Sequence, residues 1–73
     1  MPKLHSSREI EKVLNILGFK IVSQKGSHGK FKNSAGKIVI LPIAKKEIPV
    51  GTFYSILKQM DISNEKFSKL LNP

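Results

Sequence analysis

Cysteine is absent from this chain of 73 residues. That excludes a disulfide framework, a zinc finger, a thiol nucleophile and an iron–sulfur site. Acidic residues are scarce, five against thirteen Lys and Arg. Long apolar runs are missing as well. The longest, residues 38–41 and on past Pro42 to Ala44, falls far short of the ~20 residues that span a bilayer. Residues 1–6 hold no apolar core of a signal peptide, so a cytosolic (cytoplasmic) protein is expected. With only two histidines and no motif of metal-ligand spacing around them, neither a metal site nor a cofactor is expected. The length allows one domain, 1–73, of a size that buries only about 60% of the surface its unfolded chain exposes.

What the chain does have is positive charge. The formal net charge is +8 and the isoelectric point about 10.1. Residues 20–46 carry Lys20, Lys25, Lys30, Lys32, Lys37, Lys45 and Lys46 without a single acid, a stretch of +7, while the two flanks together sum to +1. An excess this large and this localised implies a polyanionic partner. Twelve of the cations are Lys, and Arg8 is the only arginine. Lysine is a mobile point charge, whereas arginine favours bidentate reading of base edges, so contact with phosphates is favoured. The cations fall on expected strands, not along an amphipathic helix, which argues against a membrane surface.

Hydrophobic spacing divides the chain. Ser6 and Glu9 have the capping-box spacing, and Ile10, Val13, Leu14 and Leu17 follow as one helical stripe that Gly18 ends. Residues 19–24 have no helical period and read as a strand, closed by a turn at Lys25-Gly26. Residues 27–33 alternate, with Gly29 and Phe31 on one side and His28, Lys30 and Lys32 on the other. A turn at residues 33–36 leads to the β-branched run 37–42. Short turns imply an antiparallel three-stranded meander. Pro42, Pro49 and Gly51 punctuate a connection. A second helix is expected over about 52–60, with Thr52 as a possible N-cap and Phe53, Ile56, Leu57 and Met60 as its stripe. Ser63 caps a short last helix carrying Phe67, Leu70 and Leu71. The expected fold is α+β, in the order α-β-β-β-α plus a short C-terminal helix, with the helices on one sheet face. His28, Lys30 and Lys32 then occupy the open face.

The most unusual stretch is residues 26–31, Gly-Ser-His-Gly-Lys-Phe. It puts an imidazole just after a flexible turn on a lysine-rich face, and neutral histidine is the usual proton acceptor near pH 7. RNA brings its own nucleophile, the 2′-hydroxyl, so one base and a cationic cradle suffice for strand cleavage without metal. The plainer reading is a surface histidine that binds phosphate or nothing. His5 sits in no sequence cluster and is expected to be a solvated terminal residue. Asp61 and Glu65 read as solvated or dipole-complementing charges. Ser27 is either a turn serine or a group that orients His28 or a phosphate. Gly26 and Gly29 match no phosphate-loop spacing. Tyr54 lies off the helical stripe and is expected to face solvent or a partner.

The Gly26-Ser27-His28 element with Phe31 after it, the strand ending in Pro42, Pro49-Val50-Gly51-Thr52 and residues 55–59 (Ser-Ile-Leu-Lys-Gln) stand in the order and spacing of the HicA family. These are small toxins of type II toxin–antitoxin systems, also described as YcfA-like mRNA interferases, and the chain resembles them from about Ser7 to Leu71. The resemblance implies a double-stranded-RNA-binding-domain-like fold, ribosome-independent cleavage of mRNA with His28 as catalytic residue, and a HicB-type antitoxin that masks the histidine. Many relatives carry a further histidine shortly after the proline that ends the third strand. This chain has Ile43-Ala44-Lys45 there, so no second histidine is assigned. Many also carry a bulkier or polar residue in place of Gly29, and the glycine is expected to loosen the strand.

The leading expectation is therefore an endoribonuclease with His28 as base and Lys25, Ser27, Lys30 and Lys32 on the RNA backbone. Its general acid is open between His28 in sequence, a lysine and water. The alternative is a non-catalytic basic RNA-binding module of the same fold, and a third reading is one half of a protein complex with its activity lost.

Overall fold

A capped start fixes the first helix. The Ser6 hydroxyl accepts the Glu9 N–H at 3.1 Å, and Glu9 Oε1 accepts the Ser6 N–H at 2.9 Å, so two otherwise unpaired donors are satisfied. The computed structural model describes residues 4–73; Met1 to Lys3, part of the terminal stretch considered above, lie outside the described residues. The elements are α1 (Ser7–Ile16), β1 (Lys20–Lys25), β2 (His28–Lys32), β3 (Ile38–Pro42), α2 (Val50–Met60) and α3 (Asn64–Leu71). The sheet is antiparallel in the order β1-β2-β3. This is the α+β arrangement, with the helices on one face, that the spacing predicts.

Strand alternation explains which face the helices cover. In β2 and β3 the buried positions are Gly29, Phe31, Val39 and Leu41. They pair across the strands, Gly29 with Leu41 and Phe31 with Val39. Phe31, Val39 and Leu41 join Ile10, Val13 and Leu14 of α1, Phe53, Ile56, Leu57 and Met60 of α2, and Phe67 and Leu71 of α3 in one core. The core stops short of β1, which is exposed along its whole length. Phe19, just ahead of the strand, is its buried anchor, while Ile21 and Val22 remain exposed.

α2 departs from expectation at its start. It begins at Val50 after Pro49, with no side-chain cap, and Thr52 is not the N-cap. The Pro49 carbonyl already accepts the Phe53 N–H at 2.9 Å, so the first turn opens two residues earlier. Ser63 does cap α3, accepting the Lys66 N–H at 3.1 Å. The outer edge of β3 is partly closed: Gln59 of α2 accepts the Ile40 N–H at 2.9 Å, and Pro42 has no N–H to offer. Among the described residues no helix is long and apolar enough to cross a membrane.

Candidate active site

A two-residue turn creates the site. Lys25 and His28 are register partners across the β1–β2 hairpin, so Gly26 and Ser27 alone make the reversal. Gly26 has φ +59°, the left-handed conformation such tight turns require. His28 is thereby the first residue of β2, flanked in register by Lys25 on one side and Pro42 on the other. It is exposed, as are Lys25, Ser27, Lys30 and Lys32. Alternation along β2 puts His28, Lys30 and Lys32 on the open face, about 6–7 Å apart from one to the next. Directly paired residues on neighbouring strands stand closer, with Cβ atoms about 4.5–5.5 Å apart. The five residues singled out from sequence thus lie together along one hairpin.

The sheet adds members that sequence reasoning missed. Lys20 pairs with Lys32, and Ser23 with Lys30. A bulge between Ile21 and Ser23 shifts the parity of β1, so Lys20 and Ser23 share the open face although they are three residues apart. Simple alternation does not reveal them. On the other side of β2, Ile38 and Ile40 pair with Lys32 and Lys30 and stay about two-fifths exposed, at 42% and 41%. The open face is therefore cationic over β1 and β2 and apolar over β3.

The turn is braced from behind. The Ile43 N–H donates to the Ser27 carbonyl at 2.7 Å. A Cβ on Gly29 would stand 2.5 Å from Ile43 Cδ1 and 3.2 Å from Ile21 Cδ1. The expectation that Gly29 loosens the strand is thus corrected: the glycine is buried, and the isoleucine side chains fill the space a side chain would need. Ser7 fixes the bracing loop in turn. Its hydroxyl donates to the Pro42 carbonyl at 2.6 Å and accepts the Lys45 N–H at 3.0 Å, while its own N–H donates to the Lys45 carbonyl at 2.9 Å. Ser7, 5% exposed, is the buried polar residue among the described ones, and no local spacing marks it as one.

His5 requires a second correction. It is not a solvated terminal residue but is half-buried, with its ring centroid 4.8 Å from that of Phe53 and 4.9 Å from that of Phe67. Its Nδ1 lies 3.6 Å from Glu9 Oε1, and its carbonyl accepts the Ile48 N–H at 2.8 Å. Phe53 and Phe67 belong to the helical layer, whereas His28 faces away from it. The sheet separates the two imidazoles, so they form no two-histidine site. Asp61 and Glu65 sit apart from the hairpin. Asp61 pairs with Lys37 at 2.8 Å, and that hydrogen bond, with the ammonium charge behind it, holds the carboxyl below its ordinary value of 3.8. Glu65 pairs with Lys69 at 3.4 Å. Tyr54 is half exposed, as expected. Among the described residues no three His, Asp or Glu side chains gather where they could hold a metal ion.

Chemically, the hairpin offers one imidazole open to solvent, a row of ammonium groups beside it and a rigid turn beneath it. Comparison with protein families gives a match to the HicA toxin of bacterial toxin–antitoxin systems over residues 7–62, which takes in every strand, α1, α2 and the hairpin. No curated protein matches the chain.

Proposed function

The chain belongs to the HicA toxin family of bacterial toxin–antitoxin systems, and from that membership and the His28 hairpin we propose that it is an endoribonuclease, an mRNA interferase acting without metal and without the ribosome. The observation that carries this is an exposed imidazole at the head of a cationic strand pair. Lys25, Lys30 and Lys32 hold the sugar–phosphate backbone, and Ser27 orients the phosphate at the turn. His28 takes the proton of a ribose 2′-hydroxyl. The freed oxygen attacks the adjacent phosphorus and the bond to the 5′-oxygen breaks. That oxygen receives a proton from the now protonated His28, a lysine or water. The products are a 2′,3′-cyclic phosphate and a 5′-hydroxyl. A positioned base of this kind contributes about 10²–10⁴ in rate.

Toxins of this family pair with an antitoxin. Here we take the partner to be a HicB-type protein that covers His28, and the setting to be the cytoplasm, where both mRNA and antitoxin are made. The test is cleavage of mRNA by purified protein in EDTA, wild type against His28→Ala. Expected is cleavage by the wild type and a loss of at least ~10²-fold in the variant. Equal cleavage by both removes His28 from the mechanism. Activity that vanishes in EDTA points to a metal. RNA that is bound with salt sensitivity but stays intact identifies a binding module instead.

A further inference from the structure

We propose that the apolar strip of Ile38, Ile40 and Pro42 on the open sheet face is a nucleobase-docking site, which holds the bases of a single RNA strand whose phosphates lie on the lysines of β1 and β2. The inference rests on the reading of His28 as acting on RNA, and names the form of RNA that the site takes. The strip is set by the register. Ile38 pairs with Lys32, Ile40 with Lys30 and Pro42 with His28. Partners across neighbouring strands share a face, with Cβ atoms about 4.5–5.5 Å apart. Each step along the strip advances about 6–7 Å, as it does along His28, Lys30 and Lys32. Two parallel lanes result, one cationic and one apolar, with His28 at the end of the first beside Pro42.

Charged and apolar side chains are sorted here against the usual rule. An exposed edge strand is normally blunted with lysine. In this sheet the edge strand β3 carries the isoleucines and the central strand β2 carries the lysines. Lys37, the residue before β3, is tied to Asp61 at 2.8 Å. Lys20, Lys25, Lys30 and Lys32 have no ion-pair partner among the described residues. A polymer with one charged and one apolar edge satisfies both lanes at once, and a single RNA strand is such a polymer. A protein strand fits less well, because it would extend the sheet from the edge of β3. There Gln59 already accepts the Ile40 N–H at 2.9 Å, and Pro42 has no N–H. A duplex leaves the strip empty, since its base faces are hidden in the stack. The reaction makes the same demand. Attack by a 2′-oxygen requires that oxygen, the phosphorus and the departing 5′-oxygen to lie in line, which a stacked A-form strand does not offer. A base held on the strip turns its nucleotide out of the stack, beside the imidazole.

The experiment uses His28→Ala protein, so that the RNA stays intact. Binding of a fluorescent single-stranded RNA of about 12 nucleotides is followed by anisotropy, beside the same strand with abasic riboses at its central positions and beside its duplex. Removing the bases leaves every phosphate in place. Ile38→Thr/Ile40→Thr keeps both positions β-branched and is expected to weaken binding of the full strand about 10-fold, with the abasic strand and the duplex unaffected. The slope of log K against log salt is expected to stay the same, because no phosphate contact is lost. Lys30→Gln/Lys32→Gln reports the cationic lane separately. It is expected to weaken all three RNAs and to make the single-strand slope shallower by about 1.4, from two contacts at about 0.7 each. If the lysine variant changes the slope and the isoleucine variant binds the full strand as before, the strip proposal falls while the RNA reading stands, whatever protein then proves to cover the isoleucines. If neither variant changes anything, both fall. A loss shared equally by the full and abasic strands also overturns the proposal, since bases are then not what the strip holds. Should the double variant melt early by circular dichroism, Ile38→Thr alone decides. Binding about 3-fold weaker for the full strand only supports the proposal, and equal binding refutes it.

Discussion

Two adjacent serines at the start of α1 invite a direct comparison, because their hydroxyls do different work. Ser6→Ala removes a helix cap, a change that costs about 1 kcal/mol. Ser7→Ala removes a hydroxyl that serves two backbone groups from more than thirty residues away, the Pro42 carbonyl and the Lys45 N–H. Each partner left unsatisfied out of water costs about 1–3 kcal/mol. Both contacts are only partly buried, which places each loss near the low end, and the better helix propensity of alanine returns about 0.5 kcal/mol. The net expectation is about 1.5 kcal/mol for Ser7→Ala, about half as much again as Ser6→Ala. For a domain of this size each kcal/mol lowers Tm by about 4–8 °C, so the two variants separate clearly in a thermal melt followed by circular dichroism. Urea titration at constant temperature provides the same ordering without relying on heat. A Ser7→Ala protein as stable as Ser6→Ala, or more so, refutes the clamp.

Gly29→Ala is expected to lower stability by about 1 kcal/mol in the natural sequence and by little when Ile43 is also changed to Ala, because the crowding atom is Ile43 Cδ1; equal effects in both backgrounds would contradict the contact. At Asp61, whose carboxyl is held below its ordinary value by the Lys37 hydrogen bond and charge, Lys37→Gln is expected to raise the titration midpoint seen by carboxyl NMR. Since the folded carboxyl is the stronger acid, its contribution to stability is present above the unfolded value near pH 4 and disappears as pH falls through the folded one. A midpoint that stays put in Lys37→Gln would deny the pairing.

Local signals carried most of the fold into view. The Ser6/Glu9 capping box, the Ser63 cap and the alternation of β2 each act over a few residues and are readable as such. The start of α2 lies two residues ahead of the threonine that has the cap chemistry, because Pro49 opens the turn with its carbonyl alone. Long-range contacts stayed hidden. Ser7 looks like its neighbour until Pro42 and Lys45 fold against it. His5 looks solvated until Phe53 and Phe67 close on it. Gly29 reads as a weakness until Ile43 arrives. For the site, the period of two was enough to put His28, Lys30 and Lys32 on one face. The β1 bulge, which brings Lys20 and Ser23 to that face, left no mark in the composition.

Whether His28 takes a proton from the ribose is tested most directly by the chemistry of the cut ends. Mass spectrometry of products formed in EDTA from an RNA oligonucleotide, alongside the same oligonucleotide with a single 2′-deoxy sugar at the cleaved position, reads the nucleophile itself. Expected are a 2′,3′-cyclic phosphate and a 5′-hydroxyl from the first substrate and no cut at that position in the second. A 5′-phosphate product, or scission of the deoxy substrate at the same bond, would mean that water and not the 2′-oxygen attacks, and the role given to His28 would be wrong.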